Sequence, residues 1–155
     1  MLKFRSFLKE GKILTNPNHF TRGHEDQKEV YHGTARRFNE FKPNTPKTVD
    51  HKHTDTHGIY FSPDKNTASG YAHRAKKEGR GEQPRIVAAK LHMENPLDIT
   101  PNIKKHMKRG MSFGDAKREA RKQLTDKHDG IIFHGNSYNQ PEYTVFHPHQ
   151  IDKVK

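Results

Sequence analysis

The 155-residue chain has no cysteine and no tryptophan, and only 29% of its residues are hydrophobic. Without cysteine there is no disulfide, no thiolate metal site and no cysteine nucleophile. That absence fits a reducing compartment. No apolar run approaches the roughly 20 residues of a membrane-spanning helix, and no secretory signal is visible, so a soluble intracellular product is expected. So little apolar material predicts a lean core with long polar loops, in a chain of one-domain length. Positive charge is plentiful: 29 Lys and Arg against 18 Asp and Glu give a net charge of +11. Such an excess favours a polyanionic partner (nucleic acid, an acidic protein face or a phosphate-rich ligand), although a solubilising surface accounts for it as well.

The stretch around which the chain organises is Gly58–Tyr71, GIYFSPDKNTASGY. Gly58-Ile59-Tyr60-Phe61 reads as a short strand that stops at Ser62-Pro63, because Pro63 cannot donate to a sheet ladder and disfavours a helical Ser62. Asp64 is a good N-cap for a helix to Lys77 with Ala68, Tyr71, Ala72 and Ala75 on one face. Tyr60 and Tyr71 are thereby placed to form a slot for a flat, partly polar ring, or else are ordinary core aromatics. Upstream, Glu29–Thr34 reads as a strand broken by Gly33. His32 offers an imidazole to a sugar hydroxyl, and Gly33 a bare backbone for close approach. Residues 44–57 form a Pro/Thr/Asp/His-rich loop suited to a lid; its His51, His53 and His57 lack the fixed spacing of a metal site, and no metal is expected.

Further strands are expected at Arg85–His92, after Asn95-Pro96, at Asp129–Phe133, at Glu142–Phe146 and at Gln150–Val154. Lys104–Lys127 reads as a basic helical stretch interrupted at Gly110 and restarted with Asp115. Its cations (Lys104, Lys105, Lys108, Arg109, Lys117, Arg118, Arg121, Lys122) form either a polyanion-binding face or a solvated one. Glu142 opens its strand beside a polar loop, so its carboxylate is expected at a rim. Short strands mixed with a few helices predict an α+β fold.

His32-Gly33-Thr34, Gly58–Ser62 with Tyr71, and Glu142–Phe146 with His147–Ile151 occur in order, and together they resemble the ADP-ribosyltransferases of the His-Tyr-Glu type. Diphtheria toxin and the poly(ADP-ribose) polymerases belong to that family, and the likeness is closer still to small bacteriophage-encoded members. It covers about Glu29 to Lys155. The resemblance implies split mixed and antiparallel sheets with flanking helices, a catalytic domain over residues 29–155, and NAD as substrate. Glu142 matches the glutamate that bonds the nicotinamide-ribose 2′-hydroxyl and favours its developing positive charge. His32 matches the histidine that holds the adenosine ribose, and Gly33 the glycine whose backbone brackets the carboxamide. Tyr60 and Tyr71 match the rings that sandwich nicotinamide. Thr34 and Ser62 adjoin them. The family serine three residues before the second tyrosine is Ala68 here, with Ser69 beside it among the implied NAD-binding residues, so nicotinamide is expected to be held less tightly or by backbone alone. Gln140, two before Glu142, is similar to an acceptor-selecting position of another branch.

Single transfer of ADP-ribose by a monomer to a host protein or to RNA or DNA is the implied activity. Plain NAD hydrolysis and a non-catalytic, basic nucleic-acid-binding or virion internal protein on the same fold are the alternatives. Residues 1–11 are amphipathic, with Phe4, Phe7 and Leu8 opposite Lys3, Arg5 and Lys9, and residues 12–28 read as a linker. The first segment is either a docking helix or an address peptide. Leu8-Lys9-Glu10 before Gly11 is similar to the cleavage pattern of phage-head maturation proteases, which implies packaging in the phage head and action in the host cytoplasm.

Overall fold

The computed structural model describes residues 20–21, 28–42, 58–135 and 140–155. The amphipathic start, the Leu8-Lys9-Glu10 pattern and the histidines at 51, 53 and 57 lie outside the described residues. Among the described residues, seven strands and three α-helices follow in the order β1 (Val30–Thr34), β2 (Ile59–Phe61), α1 (Lys65–Lys77), β3 (Arg85–Leu91), β4 (Pro96–Asp98), α2 (Thr100–Lys108), α3 (Phe113–Arg121), β5 (Gly130–His134), β6 (Pro141–Val145) and β7 (Ile151–Lys153). They form two sheets, β1-β3-β7 and β2-β6-β5-β4. The first sheet is antiparallel, and in the second β4 runs parallel to β5 while the other pairs are antiparallel. The architecture is the α+β, split-sheet fold expected from the sequence.

Alternation along each strand sorts the side chains into layers. Val30, Ala89 and Leu91 of the first sheet meet Ile59, Phe61, Ile132, Tyr143 and Val145 of the second in one buried cluster between the sheets. The opposite face of the second sheet carries Ile131 and Phe133, which pack under Ile103 of α2 and Ala116 and Ala120 of α3. Helix α1 covers the outer face of the first sheet. A Cβ on Gly33 would lie 1.8 Å from the Ala68 carbonyl oxygen, so only glycine lets β1 and α1 approach this closely. The strand runs on through Gly33 to Thr34 rather than breaking there.

Local signals explain most boundaries. The Asp64 carboxylate accepts from Thr67 N at 2.8 Å, capping α1 as its sequence suggests. The basic stretch restarts at Phe113 with Ser112 as its cap, not at Asp115, and its α-helix ends at Arg121. A 3-10 turn, Pro148–Gln150, precedes β7, which is shorter than its sequence suggests. The buried Gln150 amide accepts from Phe146 N and His147 N and donates to the carbonyls of His92 and Asp129, tying both sheets together. No helix among the described residues is long and apolar enough to cross a membrane.

Candidate active site

Strands β1 and β2 are edges of different sheets, and they touch at one bridge. Tyr31 N donates to Ser62 O at 2.7 Å and Ser62 N to Tyr31 O at 2.9 Å. Beyond it the edges diverge, and a cleft opens between His32-Gly33 on one side and Tyr60 on the other. Backbone groups point to the same side at every second residue of a strand, so the N–H and C=O of Gly33 face the cleft as those of Tyr31 face Ser62. His32 closes the floor: its Nδ1 lies 2.8 Å from the Tyr60 carbonyl oxygen. A carbonyl can only accept, so the proton sits on Nδ1 and Nε2 remains an acceptor for a ligand hydroxyl. Burial among Phe38, Phe41 and Phe61 pushes His32 below the ordinary histidine range, and the bond to Tyr60 offsets only part of that shift. The imidazole is therefore neutral at pH 7.

A cavity of about 470 Å³ is lined by Tyr31, His32, Gly33, Tyr60, Phe61, Ser62, Tyr71, Arg74, Ala75, Glu78, Arg80, Lys117 and Glu142. Six sequence-predicted positions (His32, Gly33, Tyr60, Ser62, Tyr71 and Glu142) thus converge from β1, β2 and the turn after it, α1 and β6. A second cavity of about 960 Å³ shares His32, Gly33, Tyr60, Ala75 and Arg80 with the first. Thr34 lines it, its hydroxyl accepting from Arg36 N at 3.2 Å. Arg36, Arg37, Lys42 and Arg80 make its rim basic, with Glu40 as the one carboxylate among its lining residues. Cavities of this size suit a ligand with several rings.

Register places Tyr60 opposite Thr144 and Phe133 opposite Glu142, so Tyr60, Glu142 and Phe133 share the face under α3. That helix contributes two cations. Lys117 Nζ lies 3.1 Å from Glu142 Oε1, with the two side chains only 14% and 12% exposed. The same ammonium stands 5.7 Å from the centroids of both Tyr60 and Phe133. One turn on, the fully buried Arg121 donates from Nη1 to the Tyr60 hydroxyl at 3.2 Å. Tyr60 is thereby fixed at its ring face and at its hydroxyl. These two residues correct the reading of Lys104–Lys127 as one outward basic face: Lys117 and Arg121 turn inward and belong to the cleft. The i, i+4 spacing of Lys117 and Arg121 puts them on one helical stripe, but Arg118 and Lys122 share that spacing, so the sequence alone does not single them out.

Two of the implied site residues lie outside the cleft lining. Ser69 lies two residues before Tyr71, about 200° around the helix axis, and is not among the residues lining the cleft. Ala68 itself is buried against Gly33. Gln140, half-buried just ahead of β6, is also outside the lining set. Ser62 lines the cleft, and its hydroxyl oxygen accepts from Asp64 N at 3.1 Å, so its main local task is to shape the turn into α1. Among the described residues no group of three or more His, Asp or Glu is placed to hold a metal ion.

Comparison with known proteins adds one finding. A family model described as ADP-ribosyltransferase in polyvalent proteins matches residues 25–155, a span that contains every element of both cavities. No curated protein and no solved structure matches the chain.

Proposed function

The chain belongs to the family of ADP-ribosyltransferases in polyvalent proteins, and from that premise we propose that it is an NAD-dependent mono-ADP-ribosyltransferase of the His-Tyr-Glu type with a macromolecular acceptor. The observation that carries this reading is the convergence of His32, Gly33, Tyr60, Tyr71 and Glu142 from four separate elements on one cavity. In this assignment nicotinamide lies between Tyr60 and Tyr71, its carboxamide paired with the backbone N–H and C=O of Gly33. The adenosine ribose donates a hydroxyl proton to Nε2 of His32. The diphosphate lies toward the rim of Arg36, Arg37, Lys42 and Arg80.

Reaction begins as the glycosidic C–N bond breaks and its electron pair leaves with nicotinamide. Positive charge then spreads over the ribose C1 and ring oxygen. Lys117 holds one oxygen of the Glu142 carboxylate, which leaves the other for the ribose 2′-hydroxyl, where the fixed anion lowers the barrier to the cationic sugar. An acceptor nucleophile adds to C1 and gives up its proton, completing the transfer. The test is to follow nicotinamide release from NAD together with the fate of an adenine label, in wild type and Glu142→Gln. Label bound to a macromolecule and lost in the variant is the expected result. Free ADP-ribose alone would mean hydrolysis, and identical behaviour of both proteins would mean a non-catalytic fold.

A further inference from the structure

Glu142 lies on β6 between β2, which carries Tyr60, and β5, which carries Phe133. The NAD cleft occupies the β2 side. On the other side stands an aromatic pair that the reaction just described does not use. Phe133 is buried directly across the strand pair from Glu142, and Phe113 packs on it with ring centroids 5.7 Å apart. Phe113 nevertheless leaves 41% of its surface in solvent, one of the few large apolar side chains to do so. It opens α3 one turn before Lys117, so Phe113, Lys117 and Arg121 descend one helical stripe from solvent to the cleft.

The ground around Phe113 is basic. The last turns of α2 present exposed Lys104, Lys105, Lys108 and Arg109, joined to Phe113 by a short turn at Gly110–Ser112. The carboxylates nearest in sequence, Asp115 and Glu119, are engaged by Arg118 and Lys122. A flat exposed ring beside cations that form no ion pair among the described residues is the arrangement by which proteins hold single-stranded nucleic acid, bases stacking on the ring and phosphates lying along the cations. A duplex hides its base faces, and a protein acceptor needs neither feature. We infer that the acceptor is single-stranded nucleic acid, one base of which stacks on Phe113 so that a neighbouring nucleophile reaches the ribose carbon above Glu142. This rests on the ADP-ribosyltransferase reading and names its acceptor class.

The experiment uses the full chain with adenine-labelled NAD and four acceptors: single-stranded RNA, single-stranded DNA, the matching duplex, and nuclease-treated lysate protein. Nuclease-removable label on a single strand, at least about tenfold above the duplex, is expected. In parallel, fluorescence anisotropy with a labelled 15-mer reports binding without chemistry. Phe113→Leu keeps apolar packing but loses the ring and should weaken binding about tenfold, whereas Phe113→Trp should retain it. Neutralising Lys105, Lys108 and Arg109 together should flatten the logarithmic salt dependence by about 2 units. Label confined to protein overturns the inference while the parent reading stands, whereas label left only on free ADP-ribose means hydrolysis and removes both. Equal binding by Leu and Trp variants also overturns it. Absence of nicotinamide release from wild type removes the parent reading itself, and the inference with it.

Discussion

Replacing Glu142 by Gln preserves shape and removes charge, and the Lys117 contact makes the consequence unusually specific. In the native site the carboxylate and the ammonium, 3.1 Å apart, nearly cancel at long range. Close to the sugar they do not. With the ribose on the free side of Glu142, the anion is roughly 4 Å from the developing cation and Lys117 roughly 7 Å. At an effective dielectric constant of about 20 these correspond to about 4 kcal/mol of attraction and about 2 kcal/mol of repulsion. Glu142→Gln removes the attraction and keeps the repulsion, so nicotinamide release should slow about 10³-fold. Adding Lys117→Met, which keeps most of the apolar stem, removes the repulsion as well. The double variant should therefore turn over about 30-fold faster than Glu142→Gln alone. Single-turnover release from nicotinamide-labelled NAD at saturating substrate measures this step without the acceptor. A double variant no faster than the single, or a Glu142→Gln rate within tenfold of wild type, would refute the electrostatic account.

Three further outcomes are expected. Gly33→Ala forces a Cβ to within 1.8 Å of the Ala68 carbonyl and should cost about 3 kcal/mol, lowering Tm by about 10 °C; a loss under 2 °C would mean that α1 can shift freely. His32 stays neutral when folded, because burial depresses it below its ordinary value of 6.5. Above pH 6.5 the group is therefore neutral in both states, but on acidification the unfolded chain takes up the proton first. Thermal stability should fall from about pH 6.5 downward and His32→Gln should flatten that slope, leaving a part due to His134, which burial also lowers; a slope unchanged in the variant would contradict the assignment. The Tyr143 hydroxyl is buried with no hydrogen-bond partner among the described residues, and burial pushes its phenol far up. Tyr143→Phe should raise stability by about 1 kcal/mol, measured by urea unfolding, and a clear loss would reveal a partner for the hydroxyl.

What the sequence made legible was local. Asp64, Pro63 and the alanine spacing define α1 because capping and helical phase act over a few residues. The same phase argument, applied residue by residue, would have turned Ser69 away from the cleft. Glu142, Tyr60 and His32 could be named from their motifs, yet their convergence depends on β1 pairing with β3 and β7 while β2 pairs with β6, and long-range pairing leaves no mark at any one position. Lys117 and Arg121 were hidden by their abundance: among nine Lys and Arg from Lys104 to Lys127, only contact with Glu142 and Tyr60 separates two interior members from a surface crowd. Gly33 was legible as a place of close approach, but the partner on one side is the helix backbone.

The meeting of the two sheets at Tyr31 and Ser62 resembles the spine of a half-open book. A spine one residue pair long fixes where the covers join but not how wide they stand. Behind it Phe41, Phe61 and the His32 imidazole pack ring against ring, at the edge of the core that both sheets share. The wall offered to a dinucleotide is thus made partly of core side chains: Phe41 packs on His32 and also lines the larger cavity, so packing and binding draw on the same ring.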